Sequence, residues 1–372
     1  MSQSIKQQKP KAQTAREVAE AVLFWAKKNN LFGKVPLEDA VEVAKIPFSD
    51  DGKLFVSHNV QSILRQKAIN LVTFNEKEKK VTIFTNGKIN KTEEKELPVS
   101  VSGFTIDYIQ GGVAQVRGDP PSPEQSKPYT LHNNRYTCGS SIFPARCMGA
   151  GTLGLIVSDT NGKMFGMTNN HVAGACNHAM PGLPILAPGP LDANEDSCDP
   201  FTIGRHTKLL PINDGIPENI PVSSNCDVSI FELSNADRVT SMQGDSYDTP
   251  ALCEEPLPSM VVHKVGRTTG LTKGIIVGQA AAPLPVSYHV NEYDIKKTVF
   301  FETVYVVMGW DASPFSRSGD SGSLVVSEKA DGTKIAIGLV FAGNEQRGMS
   351  FILPLPDVLK KLSLNIVSGH NV

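Results

Sequence analysis

The stretch Arg317-Ser318-Gly319-Asp320-Ser321-Gly322-Ser323 decides how the rest of the sequence is interpreted. It is typical of a tight turn that presents a nucleophilic serine, because a glycine two residues before the serine lets the N–H groups of Gly319 and Ser321 converge. A serine hydroxyl is a weak nucleophile at neutral pH, so this interpretation requires a base and an acid elsewhere in the chain. Without them, the stretch is a surface turn that leads into a strand.

The composition is that of an ordinary globular protein. The chain has 372 residues, of which 40% are hydrophobic and 20% are charged, and its net charge is −2. This length suffices for two or three domains, and the small net charge argues against a general attraction to nucleic acid or membranes. The 31 glycines and 25 prolines are concentrated in the second two-thirds of the chain, which favours a turn-rich β architecture.

Targeting and cofactor signals are lacking in the sequence, and we expect a cytoplasmic protein. Residues 1–16 are polar and rich in lysine, and the most apolar early run, residues 18–26, is short and contains Glu20. A signal peptide needs an apolar core, and a membrane helix needs about 20 apolar residues. The six cysteines are therefore expected to be free, buried thiols. No C-x-x-C motif or Cys/His cluster predicts a metal, and no cofactor is expected.

The N-terminal part predicts a disordered tail at 1–12 and a small α+β domain at 13–117. Helical spacing of apolar residues predicts helices at 15–29, capped by Thr14, at 36–45 and at 58–66.

β-rich runs follow these helices. The runs at 69–74 and 80–85 predict a β-hairpin, and two further strands are expected at 99–108 and 112–116. Helices followed by a hairpin fit a winged-helix, DNA-binding domain, but also an adaptor module or a plain packing domain. Lysines alternate with glutamates here, so no basic face emerges and a protein-interaction or regulatory role is favoured.

A Pro- and Ser-rich segment, residues 118–135, predicts a linker, and the remainder, 136–372, is rich in short strands. Residues 181–200 are expected to form a proline-rich loop. Strands are expected at 149–158, 163–168, 201–204, 227–233, 261–265, 274–280, 299–307, 322–327, 335–341 and 349–353. About ten short strands and a terminal helix at 356–362 predict a mainly β fold, a double β-barrel.

A histidine and an aspartate upstream of the serine turn suit a base and its orienting acid. His171 follows a predicted strand and precedes small residues, a context that the other histidines lack. Asp227 starts an apolar strand, so its carboxylate would be partly buried and could accept the Nδ1 proton of His171. Taken singly, each is an ordinary turn or strand-start residue. Asp196, Asp199 and Asp214 lie in loop sequence and are weaker candidates for the acid.

The order histidine, aspartate, serine is that of the chymotrypsin arrangement. From about Cys138 to the C-terminus the chain resembles the trypsin-like (chymotrypsin-fold) serine proteases, and more narrowly the NARROW LEAF type of plant protease and its bacterial relatives. The matching stretches lie at 138–140, 151–154, 168–173, 265–274 and 319–324. The resemblance covers about two-thirds of the chain and leaves the helical part before about Leu97 unexplained.

This resemblance implies a chymotrypsin-like double β-barrel with a C-terminal helix, and a serine endopeptidase. Its catalytic residues would be His171, Asp227 and Ser321, and the amides of Gly319 and Ser321 would form the oxyanion hole. In secreted relatives a freed N-terminus pairs with the aspartate before the serine, here Asp320. Because a whole domain precedes the barrel, we predict that this pairing is not needed or that it requires cleavage in the 118–135 linker.

The resemblance also implies a substrate-binding pocket. Phe315 would lie at its base, Phe341, Ala342 and Gly343 along its wall, and Gly348 near its rim. An aromatic lining without an acid at the base predicts a small or apolar P1 side chain. A shifted alignment would instead bring Asp311 or Glu345 into the pocket and reverse this prediction.

Three functions fit the sequence. The leading interpretation is a regulated intracellular serine endopeptidase that acts on a specific protein partner through its N-terminal domain. By analogy with bacterial relatives, a role in stress or defence is a further hypothesis. The alternatives are a catalytically silent protease fold that serves as a scaffold, and a protease bound to DNA through residues 13–90.

Overall fold

The computed structural model describes residues 14–32, 57–112, 114–116, 130–145, 147–193, 201–290 and 295–372. These residues fall into two compact units, 1–110 and 111–372. The expected tail at 1–12, the expected helix at 36–45 and most of the expected linker at 118–135 lie outside the described residues.

The first unit begins with a well-capped helix. In α1 (Ala15–Lys28), the Thr14 hydroxyl accepts the Glu17 N–H, and the Glu17 carboxylate accepts the Thr14 N–H. This reciprocal capping box satisfies two of the amides that a helix start leaves unpaired. The expected second helix is α2 (His58–Lys67), and α3 (Lys91–Glu96) was not expected because its exposed face carries no apolar periodicity.

A four-stranded sheet completes the first unit. Its strands are β1 (Ile69–Asn75), β2 (Lys80–Thr85), β3 (Ser100–Val101) and β4 (Phe104–Gln110). β1 and β2 form the expected hairpin, and β4 joins β2 in parallel. The single strand expected at 99–108 is two strands, because a turn at Ser102 and Gly103, both with positive φ, separates β3 from β4.

The second unit is built mainly from strands. They are, in chain order, β5 (Ala114–Val116), β6 (Leu131–His132), β7 (Arg135–Cys138), β8 (Ser141–Pro144), β9 (Gly151–Thr152), β10 (Leu155–Ser158), β11 (Met164–Thr168), β12 (Pro184–Ala187), β13 (Phe201–Leu209), β14 (Ser229–Leu233), β15 (Val239–Gln243), β16 (Tyr247–Asp248), β17 (Val261–Gly266), β18 (Gly270–Ala280), β19 (Leu284–Val290), β20 (Ile295–Phe301), β21 (Tyr305–Gly309), β22 (Leu324–Glu328), β23 (Lys334–Asn344), β24 (Met349–Pro354) and β25 (Asn365–Ile366). In the described part of this unit two α-helices accompany the strands, α4 (Asn170–Ala173) and α5 (Leu355–Leu362), together with short 3-10 turns.

Six of these strands close into a barrel. The pairings run β17–β18–β21–β24–β23–β22 and return to β17, every one antiparallel. Side chains that alternate inward along these strands fill the interior, because successive residues of a strand point to opposite faces. The buried core includes Val262, Ile276, Val307, Val325 and Ile352.

The remaining strands form a second curved body. One sheet runs β25–β10–β11–β14–β13–β12–β8–β9, and a smaller one runs β16–β15–β7–β6. Their shared core includes Tyr136, Ile156, Ile185 and Phe231. Two β bodies followed by a terminal helix make the chymotrypsin-like double β-barrel that the sequence predicted.

Several local expectations were wrong. The proline-rich loop at 181–200 contains β12, whose proline stands at the first strand position, where proline is tolerated. The run expected as one strand at 299–307 belongs to two strands, β20 and β21. β5, expected in the N-terminal domain, lies in the second unit, where it pairs with β19 and β23. Among the described residues, no helix is long and apolar enough to cross a membrane.

Candidate active site

The histidine and the aspartate expected to work together are in contact. β11 ends at Thr168, and the chain turns at once into α4, which carries His171. The Nδ1 atom of His171 lies 2.5 Å from Oδ2 of Asp227, and the His171 backbone N–H donates to Oδ1 at 2.9 Å. Because the carboxylate holds both the ring and the main chain, it fixes the imidazole orientation and leaves Nε2 as the nitrogen that can receive a proton.

Two further residues hold Asp227 in place. The Asn169 side-chain amide donates to the Asp227 main-chain carbonyl at 2.7 Å. The hydroxyl of Tyr288, on β19, donates to Asp227 Oδ2 at 2.9 Å, and its ring lies edge-on to His171 with the ring centroids 6.0 Å apart. Burial and the neighbouring Asp227 carboxylate raise the pKa of Tyr288 well above its ordinary value, so the phenol stays a donor. Sequence reasoning missed Tyr288 because β19 was not recognised as a strand.

The turn of Ser321 packs against the strand that leads to the histidine. The main-chain carbonyl of Ser321 accepts the Thr152 N–H at 2.9 Å, and the Thr168 hydroxyl donates to the Thr152 carbonyl at 2.7 Å. A Cβ atom on Gly322 would lie only 2.2 Å from the Thr168 hydroxyl, and Gly322 has φ +96°. Only glycine therefore fits this place, and the close approach brings the Ser321 turn to the end of β11, three residues before His171.

The main-chain directions in the turn are fixed by hydrogen bonds. The Asp320 N–H donates to the Arg317 carbonyl at 3.0 Å, which closes a turn with Gly319 at φ +92° in its third position. The Thr268 hydroxyl donates to the Ser318 carbonyl at 2.6 Å. Because the carbonyl and N–H of a trans peptide point in opposite directions, this bond also fixes where the Gly319 N–H points.

The second amide is fixed in the same way. The Asp320 carbonyl accepts the Ser323 N–H at 3.0 Å and the Ser323 hydroxyl at 2.6 Å, which sets the direction of the Ser321 N–H. Within the described residues, neither the Gly319 N–H nor the Ser321 N–H donates to another group. Two fixed and unused donors beside a serine are what an oxyanion requires.

The carboxylate of Asp320 is buried beside a buried lysine. Nζ of Lys264 lies 3.4 Å from Asp320 Oδ2, and both side chains are fully shielded from solvent. Oδ1 accepts the backbone N–H groups of Thr268 and Thr269 at 2.8 and 3.1 Å, and Oδ2 accepts the Arg317 N–H at 2.9 Å. Burial lowers the pKa of Lys264, and Asp320 opposes this shift. The positive charge beside Asp320 thus comes from inside the barrel.

The pocket beside Ser321 differs from the expected one. Its walls include Ser316, Val340, Ala342 and Gly343, so Ala342 and Gly343 lie where the resemblance implied. Glu345, named as an alternative, also lines the pocket, and its carboxylate accepts the Ser318 N–H at 2.5 Å.

The aromatic lining is not found. Phe315 is fully buried in the core of the closed barrel, and Phe341 is fully buried against Phe301, with ring centroids 4.9 Å apart. The neighbours of Phe341 in the strand, Val340 and Ala342, line the pocket instead. Gly348 takes a left-handed conformation at the end of a turn and is not among the lining residues. The expectation of a small or apolar P1 side chain loses its structural basis.

A family model and several known proteins resemble the chain. Residues 251–354 match the family model described as the Nal1 C-terminal domain, and this range contains Ser321, Lys264 and Tyr288. The chain resembles NARROW LEAF 1. That protein, from Oryza sativa subsp. japonica, is 31% identical over 221 residues, which are 53% of this chain and 35% of the rice protein. The chain spans about a third of the length of this curated relative.

Solved structures similar to the chain include two bacterial proteases. Thermobifida fusca Protease A is 16% identical, with a TM-score of 0.41, and the match covers 63% of this chain and 98% of that chain. A Nocardiopsis protease is also 16% identical, with a TM-score of 0.40, over 62% of this chain and 97% of that chain.

Proposed function

We propose that this protein is a serine endopeptidase that cuts a protein substrate through a covalent acyl-enzyme. The observation that supports this function is the 2.5 Å contact between His171 and Asp227 at the strand end against which the Ser321 turn packs. A base, an acid that orients it, and a serine beside two directed amides together supply what an unreactive hydroxyl lacks.

In this mechanism, Oγ of Ser321 attacks the carbonyl carbon of the peptide bond, and Nε2 of His171 takes the hydroxyl proton. Asp227 stabilises the resulting imidazolium, and the Gly319 and Ser321 amides stabilise the oxyanion, each such donor being worth roughly a hundredfold to a thousandfold in kcat. The imidazolium then protonates the leaving amine as the C–N bond breaks. Water, deprotonated by the same histidine, hydrolyses the acyl-enzyme and frees the serine.

We further propose that the enzyme works without proteolytic processing. In secreted relatives a freed N-terminus pairs with the aspartate before the serine, and here Lys264, on β17, lies beside Asp320 in the uncleaved chain. The intact chain should therefore react with a serine-directed probe, and mass spectrometry of the labelled protein should give the full-length mass.

We assign the first unit a recruiting or regulatory role in the cytoplasm, in preference to DNA binding. Two of its lysines are already neutralised, since Lys67 pairs with Glu93 at 3.0 Å and Lys80 pairs with Asp107 at 2.5 Å. Phosphate binding would require free cations. Salt-dependent binding of the full chain to double-stranded DNA would contradict this assignment.

The test of the proposed function is labelling with an alkyl fluorophosphonate probe. We expect the intact chain to be labelled and the Ser321→Ala variant to remain unlabelled. His171→Ala should slow labelling by several orders of magnitude, because loss of the base costs on the order of 10⁶ in kcat in such a triad. Ser313→Ala, at an exposed serine outside the site, is the matched control and should be labelled like the parent. An intact chain that is never labelled would favour a catalytically silent scaffold.

A further inference from the structure

The strand β5 is an addition to the closed barrel. The ring β17–β18–β21–β24–β23–β22 is complete without it. β22 pairs with β23 only as far as Leu339. At the next residue, Val340, the main chain of β23 forms hydrogen bonds with Gly322 and Ser323 of the serine turn instead. Next along the same edge, Gln115 of β5 pairs antiparallel with Gly343. β5 thus covers the part of the β23 edge that emerges beside the Ser321 turn.

β5 lies beside the candidate active site. On its other side it pairs in parallel with β19, where Ala114 lies opposite Val286 and Val116 lies opposite Tyr288. Tyr288 is the residue whose hydroxyl binds Asp227. The strand therefore runs along β19 toward Tyr288 and the Asp227 carboxylate that Tyr288 contacts.

The same strand lines the pocket of the serine. Gln115 and Val116 form part of its wall, together with Ser321, Ala342 and Gly343. An extended peptide that adds itself to a sheet edge gains affinity from main-chain hydrogen bonds and specificity from its alternate side chains. Such a peptide would lie along the edge of β23 beside Ser321, and β5 already occupies this edge.

We propose that β5 is an internal occupant of the substrate groove, bound as an extended strand between β19 and β23, and that it must leave before a protein substrate can bind. This inference rests on the proposed function, whose site it regulates. A tethered strand competes at an effective concentration of about a millimolar when the tether is short. A competing peptide can bind only those molecules whose groove is not occupied by β5. Its apparent affinity is therefore reduced by the fraction of molecules that are unoccupied.

The structure makes release of β5 feasible. In the part of this segment that the structure describes, three residues pair, and the six-stranded ring stays closed without them. Gly111 and Gly112 precede the strand, and two consecutive glycines give the backbone wide conformational freedom. A Cβ atom on Gly112 would lie 2.2 Å from the side-chain nitrogen of Asn344, so a larger residue there would require the Asn344 side chain to move.

The first test releases β5 from the groove by a substitution in the full-length protein. Gln115→Pro should disrupt pairing, because proline lacks the N–H that a strand interior uses. The probe is a fluorescein-labelled peptide with the sequence of residues 111–116, and binding is followed by fluorescence anisotropy. We expect the Gln115→Pro chain to bind this peptide at least ~10-fold more tightly than the parent. Leu131→Pro, in the short and exposed strand β6, is the matched control and should bind like the parent.

The second test locks the occupant in place. Gln115 and Gly343 are register partners, and antiparallel partners have Cα atoms about 4.5–5.5 Å apart, within the range of a disulfide. In the double variant Gln115→Cys, Gly343→Cys, oxidation should abolish peptide binding and slow fluorophosphonate labelling of Ser321, and reduction should restore both. The single variant Gln115→Cys, treated identically, should not respond. Mass spectrometry confirms the cross-link.

The outcomes separate the two proposals. The inference about β5 would be overturned if the parent and the Gln115→Pro variant bound the peptide with equal affinity. It would also be overturned if the oxidised and reduced forms of the double cysteine variant did not differ in peptide binding and Ser321 labelling. Absence of Ser321-dependent labelling in every variant would overturn the proposed function alone, because peptide binding is measured without any chemistry. A Gln115→Pro chain that fails to fold leaves the reversible lock as the deciding experiment.

Discussion

Replacement of Lys264 by methionine is the most informative single perturbation of this fold. Methionine keeps the length and most of the apolar stem of lysine but removes its charge. The substitution leaves the Asp320 carboxylate fully buried without its cation, although three backbone N–H groups still donate to it. Lys264 also donates to the Gly270 carbonyl at 3.1 Å, and that bond is lost too.

The expected magnitude follows from the geometry. At the 3.4 Å separation of Nζ and Oδ2, two unit charges attract by about 5 kcal/mol at an effective dielectric constant of ~20. Removing one partner of a buried ion pair typically costs about 3–5 kcal/mol, because the other charge stays buried and unpaired. The Lys264→Met variant should lose stability in this range and should be labelled poorly by the fluorophosphonate probe, because the Asp320 turn would reorganise.

The assay is urea unfolding followed by fluorescence of Trp310, in a Trp25→Phe background so that only the second unit reports. The double variant Lys264→Met, Asp320→Asn should be more stable than Lys264→Met alone, because the unpaired charge is gone. Lys208→Met, an exposed lysine on β13, is the control and should stay within about 0.5 kcal/mol of the parent. A single variant as stable as the parent, or a double variant less stable than the single one, would refute the reasoning.

Three further changes probe the site. Asp227→Asn should lower kcat by about 10⁴ with little change in KM, because the imidazole loses its correct tautomer; a drop below tenfold would argue against the assigned role. Tyr288→Phe should lower kcat by roughly tenfold, because the Asp227 carboxylate loses a hydrogen bond that holds it in place; an unchanged kcat would make Tyr288 a packing residue only. Gly319→Ala should abolish labelling, because φ is +92° and the new Cβ would lie 2.4 Å from the Thr268 hydroxyl; normal labelling would contradict a rigid turn.

The proposed activity does not by itself explain the role of the N-terminal unit. Its described sheet and helices carry no part of the candidate site, and the matched family model covers residues 251–354 of the second unit. The groove occupant β5 follows directly after the unit boundary at Gln110. A partner that binds the first unit would therefore bind only a few residues along the chain from β5. Its effect can be tested by measuring the rate of Ser321 labelling with and without the partner.

The sequence by itself determined the features that depend on neighbouring residues. Thr14 and Glu17 form a capping box within one helical turn, and the hairpin β1–β2 follows from two β-rich runs around a polar turn. His171 after a strand and Ser321 in a glycine turn were recognisable in the same way, and the double β-barrel followed from the number of short strands. The helix cap, the hairpin and the serine turn are each local patterns, whereas the barrel was inferred from the repetition of short strands along the second unit.

Only the tertiary structure decided which distant residues meet. Tyr288 contacts Asp227, which is 61 residues away in the sequence, and Lys264 contacts Asp320, which is 56 residues away. Gln115 of β5 pairs with Gly343, more than 200 residues away. The orientation of Phe315 into the core, and not into the pocket, likewise depends on how the barrel closes. Local sequence carries the propensity of a segment for helix or strand. Which strand pairs with an edge, and which group pairs with a buried charge, depends instead on burial and hydrogen bonding across the whole fold. A short stretch of sequence does not contain that information.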